Sequence, residues 1–180
     1  MWYIPVYTIL EGVAMFIARV CSQLKKHKVP YAIVGGYAVV LHGVTRGTID
    51  IDLVLKWSEK SLKNASQALK EIGLESRLPV DYDSIFNFRR EYIENRNLIA
   101  WNFFNPKNPT EQVDIIIDYD LSDDQVKTIK SKYGEIKVLS KKDLIEMKKK
   151  SGRPQDIQDV IALGGCLLYT SDAADEEDSV

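Results

Sequence analysis

The feature that most constrains this chain is a glycine pair followed by a strand that carries two aspartates. Gly35 and Gly36 follow an apolar run typical of a buried strand and open a short helical pattern. Because glycine has no Cβ, backbone N–H groups there can approach a phosphate closely, and the helix N-terminus behind them favours negative charge. Asp50 and Asp52 lie two positions apart and therefore share one strand face. Adjacent carboxylates repel each other and need a cation, and hard oxygen ligands suit Mg²⁺. The combination indicates phosphoryl or nucleotidyl transfer.

This stretch resembles the nucleotidyltransferase superfamily related to DNA polymerase beta. It looks most like the small bacterial branch around the AbiEii-type toxins, whose pattern is roughly Gly-Gly-x-Ala, His-Gly, Arg-x-Thr and Asp-Ile-Asp. The resemblance implies that Gly35 and Gly36 bind the phosphates of a nucleotide. The stretch itself departs from the Gly-Ser pattern of minimal antitoxin-type nucleotidyltransferases, since Gly36 stands where serine is expected. The matching residues are Gly35, Gly36, Ala38, His42, Gly43, Arg46, Thr48, Asp50, Ile51 and Asp52.

Two-metal transfer needs a third carboxylate on a neighbouring strand, so that one ion can activate the acceptor hydroxyl. Asp114 is the candidate, because it is set among branched apolar residues and aspartate is depleted in strands. Asp118 lies four positions further on and is the alternative if the strand runs that far. We therefore predict a metal triad of Asp50, Asp52 and Asp114, holding two Mg²⁺ ions for which Mn²⁺ can substitute.

A second resemblance to the same family lies around residue 150. Family members carry a lysine on a helix, then an Arg-x-x-Asp element and a further aspartate. The resemblance implies that Lys148 binds the triphosphate, a role that suits a compact ammonium charge, with Lys149 or Lys150 as the alternative if the register differs. It implies that Asp156 either accepts from the nucleotide or holds Lys148 in place. The residues at the family positions are Lys148, Arg153, Asp156 and Asp159.

Two polar residues stand just before the aspartates. Arg46 either reaches a phosphate or pairs with a carboxylate, and we favour the second interpretation. Thr48 lies two positions before Asp50 and shares its strand face, so we expect it to bond a phosphate oxygen. His42 precedes a helix-ending glycine, and we interpret it as structural rather than catalytic.

The hydrophobic pattern predicts an α+β fold. We expect a mixed β-sheet of the nucleotidyltransferase type, flanked by helices, with helices dominating the C-terminal third. The predicted helices are 10–26, 37–42, 58–72, 85–90, 126–133, 141–150 and 154–163, and the predicted strands are 31–34, 49–55, 98–104, 112–117 and 136–139.

The chain of 180 residues, 45% hydrophobic, is long enough for one well-packed domain, which we place at residues 1–165 with its C-terminal helices from about 141. A net charge of −2 excludes a broadly basic nucleic-acid-binding surface. Glu11 interrupts the apolar start, so neither a signal peptide nor a membrane span is expected. Cys21 and Cys166 form no disulfide framework, which favours the cytoplasm. Residues 166–180 resemble a translated sequencing adapter, and we predict a non-native tail there.

The resemblance implies a Mg²⁺-dependent enzyme that moves a nucleoside monophosphate from a nucleoside triphosphate to an acceptor hydroxyl. The acceptor stays open between tRNA, a protein and a small molecule. By resemblance the biological role is that of a toxin or phage-defence component with a cognate antitoxin. The alternatives are a catalytically silent nucleotide-binding module and an antitoxin that modifies its toxin partner.

Overall fold

The computed structural model describes residues 6–165, and the predicted non-native tail, 166–180, lies outside them. The described chain forms one mixed sheet with helices packed around it, which confirms the predicted α+β class. The helices are α1 (Val6–Lys26), α2 (Gly35–Leu41), α3 (Glu59–Glu71), α4 (Tyr82–Asn87), α5 (Arg89–Arg96), α6 (Lys141–Ser151) and α7 (Pro154–Ala162). The strands are β1 (Tyr31–Val34), β2 (Ile51–Leu55), β3 (Glu75–Ser76), β4 (Ala100–Asn105), β5 (Asn108–Ile116), β6 (Val126–Ser131) and β7 (Gly134–Leu139).

The seven strands follow the order β3-β4-β5-β2-β1-β7-β6. Two pairings are parallel, β2 with β5 and β1 with β7, and the others are antiparallel. All four residues of β1 are buried, as expected of a central strand covered on both faces. The strands that carry Asp52 and Asp114, β2 and β5, are therefore direct neighbours in the middle of the sheet.

The helices bury their apolar stripes against the sheet and against each other. In α1 the residues Ile17, Val20 and Leu24 recur at helical spacing and are buried. This helix packs on α3 and β7, whereas α2 contacts β1, β2 and β7 and α6 packs on α7. Helix α3 begins at Ser58, whose side chain accepts a hydrogen bond from the backbone N–H of Ser61. The core thus fixes β1, β2 and the short connection between them.

The predicted helix at 126–133 is wrong. These residues form β6, which pairs with β7 in antiparallel register from Val126 opposite Leu139 to Ser131 opposite Gly134. Val126 and Ile129 are three apart, which fits a helix turn, but the tight connection to β7 gives this segment a strand partner. Pairing across the hairpin therefore overrides the local pattern.

Two smaller differences concern the start of β2 and the segment between α3 and β4. Strand β2 begins at Ile51 rather than at residue 49. The segment 74–97, for which one short helix was expected, contains the short strand β3 and two helices, α4 and α5. Asp81 caps α4 by accepting a hydrogen bond from the backbone N–H of Ser84 at 2.8 Å, which is the usual role of an aspartate at a helix start.

Among residues 6–165, no helix is long and apolar enough to cross a membrane.

Candidate active site

The parallel pairing of β2 with β5 brings two of the predicted aspartates together. Asp52 lies directly opposite Asp114 in the register of the two strands, and neighbouring strands are about 4.8 Å apart. On the other side of Asp114, the amide of Asn102 on β4 donates to a carboxylate oxygen of Asp114 at 2.8 Å. Sequence reasoning missed Asn102, because its role depends on the pairing of β4 with β5.

The charges of these carboxylates shift one another's pKa values. Burial, followed by the charges of Asp114 and Asp50, raises the pKa of Asp52 to about 6. Burial also raises the pKa of Asp114, whereas the hydrogen bond from Asn102 lowers it. Asp50 lies immediately before β2 and contributes repulsion to both. The group thus concentrates half-buried negative charge in one place, which is the condition under which a cation binds.

The chemistry of this donor set fits Mg²⁺, although the ligands are not gathered around one point. Within residues 6–165, no three His, Cys, Asp or Glu side chains form a group able to hold a metal ion as they stand. The pair Asp52–Asp114 offers hard carboxylate oxygens on adjacent strands, and Asp50 is close enough to affect both. Asp118, the alternative third ligand, follows the last residue of β5 and is exposed. The predicted triad stays a prediction.

The glycine pair packs against side chains of the predicted site. Gly35 opens α2 with a φ of +61°, and a Cβ there would overlap the carboxylate of Asp52. At Gly36 a Cβ would overlap the side chains of Arg46 and Thr48. Glycine is required at both positions, because a Cβ at 35 would collide with Asp52 and a Cβ at 36 would collide with Arg46 and Thr48.

The segment between α2 and β2 is held by two contacts. The hydroxyl of Tyr37 lies 3.3 Å from the carbonyl oxygens of both Thr48 and Ile49 and donates to them. Arg46 forms an ion pair with Asp159 of α7, with Nε 3.3 Å from Oδ1. The structure therefore shows Arg46 paired with a carboxylate, the interpretation favoured from the sequence.

Lys148 is buried between two carboxylates of α7. Its Nζ lies 2.9 Å from Oδ1 of Asp156 and 2.7 Å from Oδ2 of Asp159, and 5% of its side chain is exposed. Asp156 also accepts from Ser151 at 2.8 Å and from Nε of Arg153 at 2.7 Å. Burial alone would raise the pKa of Asp156, but these donors outweigh it and hold that pKa well below its usual range. Asp156 thus holds Lys148 in place, one of its two anticipated roles.

Asp159 was matched to the family pattern without a role, and the structure gives it one. It is 3% exposed and joins Lys148 of α6 to Arg46 beside the glycine pair. His42 is structural, as interpreted: its Nε2 lies 2.8 Å from the carbonyl oxygen of Leu139.

A cavity of about 640 Å³ opens beside these groups. Gly35 and Asp52 line one part of it, and the end of α6 and the start of α7 line another. Lys148 and Lys150 both contribute to its wall, whereas Lys149 does not and pairs with Glu146 instead. Asp118 and Tyr119, just beyond β5, form a further part of the wall. The cavity therefore joins Asp52 to the cations Lys148, Lys150 and Arg153. Asp118, Asp143, Glu146 and Asp156 also line it. A polyphosphate with a bound cation suits such a mixed lining.

Several solved structures that resemble this fold are described as nucleotidyltransferases or as similar to them. An antigenic nucleotidyltransferase-like protein from Paracoccidioides brasiliensis is 19% identical, with a TM-score of 0.56 over 85% of this chain and 75% of that one. The lincosamide antibiotic adenylyltransferase LnuA, solved with lincomycin bound, is 17% identical, with a TM-score of 0.56 over 83% and 95%. A putative nucleotidyltransferase from Thermotoga maritima is 15% identical, with a TM-score of 0.54 over 88% and 94%. At these identities the likeness shows the fold.

A search of curated proteins finds no significant match. A family model described as "Nucleotidyltransferase of unknown function (DUF6036)" matches residues 10–164, nearly the whole described chain. The chain therefore belongs to this family of nucleotidyltransferases of unknown function and is a nucleotidyltransferase enzyme.

Proposed function

We propose that this protein transfers a nucleoside monophosphate from a nucleoside triphosphate to an acceptor hydroxyl, with Mg²⁺. The observation that carries the proposal is the placement of Asp52 opposite Asp114 on neighbouring strands, with Gly35 packed on the carboxylate of Asp52. Asp50, Asp52 and Asp114 are the residues that would hold the metal. Bound there, two Mg²⁺ ions would compensate the charge of the triphosphate and activate the acceptor hydroxyl.

The residues around the pair have distinct tasks in this proposal. The backbone at Gly35 and Gly36 carries no Cβ that would keep a phosphate away, and the Thr48 hydroxyl lies beside Gly36. Arg46 keeps this turn attached to α7 through Asp159. Lys148 and Asp156 form the ion pair that borders the cavity on the other side.

A small-molecule acceptor has support from two solved structures of the same fold. LnuA was solved with lincomycin, and ANT(2")-Ia, 14% identical with a TM-score of 0.56, was solved with adenylyl-2"-tobramycin. Acceptors of the tRNA and protein classes are tested as well, because the residues that line the cavity do not distinguish the three acceptor classes. The likeness of the glycine and aspartate motifs to AbiEii-type proteins supports a toxin or phage-defence role with a cognate antitoxin. The free, buried Cys21 supports a reducing cytoplasmic setting.

The test is transfer of label from each of four α-labelled nucleoside triphosphates, with Mg²⁺, to three acceptor pools: total tRNA, cell protein and a panel of hydroxylated small molecules. Asp52→Asn keeps the shape of the side chain and removes its charge. We expect it to abolish transfer while nucleotide affinity, measured by calorimetry, falls much less, because metal ligands act chiefly on the transition state. Asp123→Asn is the matched control, since Asp123 is 79% exposed and pairs with Lys56 away from the aspartate pair.

The outcomes separate the candidate functions. Transfer by the Asp52→Asn protein at close to the wild-type rate would show that this carboxylate binds no catalytic metal. Nucleotide binding without transfer to any pool would support the catalytically silent module instead. For the defence role, expression should arrest growth, and co-expression of an adjacent gene should relieve the arrest. Labelling of that gene's product would favour the antitoxin alternative.

A further inference from the structure

The cation that best suits contact with the triphosphate is not the buried lysine. Lys148 already faces two carboxylates within 3 Å, and 5% of its side chain is exposed. An ammonium group in this position has its charge compensated by Asp156 and Asp159. The two ion pairs leave one of its three N–H donors for a ligand, but two carboxylates already offset its charge, so its net attraction for a phosphate is small.

Arg153 has the opposite properties. It lies between α6 and α7, at the residue that precedes the first turn of α7, and its side chain is 72% exposed. Its Nε donates to Oδ2 of Asp156 at 2.7 Å. Among residues 6–165, its two Nη atoms have no hydrogen-bond partner. Because a guanidinium is planar, fixing Nε on one side directs the two Nη atoms as a fork suited to phosphate oxygens.

Arg153 shares a cavity with one member of the aspartate pair. Arg153 and Asp52 line the same cavity. A phosphate chain bound at a metal on Asp52 would therefore have the guanidinium within its electrostatic reach.

We infer that Arg153 is the phosphate-binding cation of this site, oriented by Asp156, and that Lys148 is the internal counter-ion that fixes Asp156 and Asp159. This role rests on the proposed nucleotidyl transfer. Lys150 also lines the cavity, but within the described residues its ammonium has no carboxylate to orient it. Arg153 is held by a carboxylate that is 1% exposed, so less side-chain freedom is lost when a ligand binds.

The test compares Arg153→Gln, Arg153→Lys and Lys149→Gln. Lys149 is the control for the loss of one positive charge next to the cavity, because it does not line the cavity itself whereas its partner Glu146 does. Affinity for a non-hydrolysable nucleoside triphosphate and for the corresponding monophosphate is measured by calorimetry with Mg²⁺. Thermal unfolding is recorded for every variant.

Arg153→Gln should weaken triphosphate binding by about tenfold or more, the usual effect of one charge-assisted hydrogen bond. Binding of the monophosphate and the unfolding temperature should stay close to those of the control. Arg153→Lys should fall between Arg153→Gln and the wild type, because it keeps the charge and loses the fork.

Three different outcomes would contradict the inference. If the wild type binds triphosphate and Arg153→Gln binds it within twofold of Lys149→Gln, the assignment of Arg153 is wrong and the proposed function stands. If the wild type binds no nucleoside triphosphate, the proposed function fails and this role fails with it. An equal loss of triphosphate and monophosphate affinity would show that Arg153 shapes the cavity rather than binding the phosphate chain.

Discussion

Replacing Gly35 with alanine should damage both stability and activity, and the structure separates the two causes. Gly35 has a φ of +61°, and an alanine in the left-handed region costs about 1–2 kcal/mol. A methyl group there would also overlap the carboxylate of Asp52. Moving that carboxylate from a buried position adds a further ~1–3 kcal/mol, in the range of other overpacked sites. The total is about 2–5 kcal/mol.

Gly43 provides the matched control. It has a φ of +92°, and a Cβ there would meet nothing within 4 Å. Gly43→Ala therefore carries the backbone cost without the collision. For a domain of this size, 1 kcal/mol corresponds to about 2–4 °C in the unfolding temperature. We expect Gly43→Ala to lower it by about 2–8 °C and Gly35→Ala by roughly twice as much.

The assay is chemical and thermal unfolding of both variants, followed by transfer measured at a temperature at which both are folded. Folded Gly35→Ala should retain less than about 1% of transfer, because displacing a metal-binding carboxylate removes transition-state stabilisation of several kcal/mol. Gly43→Ala should transfer normally. Equal losses of stability in the two variants, or normal transfer by Gly35→Ala, would refute the close packing of Gly35 on Asp52.

Further predictions concern charge. The pKa of Asp52 is about 6 in the folded protein against an ordinary 3.8, so its protonated form is favoured by folding. The associated stability, about 3 kcal/mol, is present below pH 4 and lost as pH rises through 6. Relative to Asp52→Asn, the unfolding temperature of the wild type should therefore fall by about 5 °C or more from pH 4 to pH 7. Mg²⁺ should make this fall smaller. Parallel plots of unfolding temperature against pH for the two proteins would contradict the prediction. Asn102→Leu removes a donor that favours the ionised form of Asp114. Transfer at pH 6 should therefore need more Mg²⁺ than in the wild type. The same dependence of transfer on Mg²⁺ concentration in both proteins would contradict this prediction. Lys148→Met leaves Asp156 and Asp159 without their shared cation, which should cost about 3–5 kcal/mol in urea unfolding; a loss below about 1 kcal/mol would show that the pair is unimportant for stability.

The part of the site that could be predicted from sequence is the part encoded by neighbouring residues. The glycine pair, its helix and the Asp50–Asp52 spacing are local, and the structure places Gly35 against Asp52 as the motif suggested. Asp114 could be proposed because an aspartate in an apolar strand is unusual. Its register opposite Asp52 required the parallel pairing of β2 with β5, which no local pattern contains.

The rest depended on contacts between distant elements. The role of Asp159 follows from the docking of α7 against the turn that carries Arg46. Which of three successive lysines is buried and which is exposed depended on the rotation of α6, so the ion pairs of Lys148 with Asp156 and Asp159 could not be read from the sequence. The β6–β7 hairpin was missed for a related reason, since strand pairing supplied hydrogen bonds that a helix pattern could not reveal.

The two parallel pairings have a consequence for how this protein acquires activity. They join Asp52 to Asp114 and Ile33 to Val138, residues far apart along the chain. Such long-range closure is slow compared with helix formation, because loop entropy is lost before the contact forms. In a partly folded molecule Asp52 and Asp114 are therefore apart and cannot bind one cation together. Mg²⁺ would bind late, to the finished sheet, and would slow unfolding more than it speeds folding.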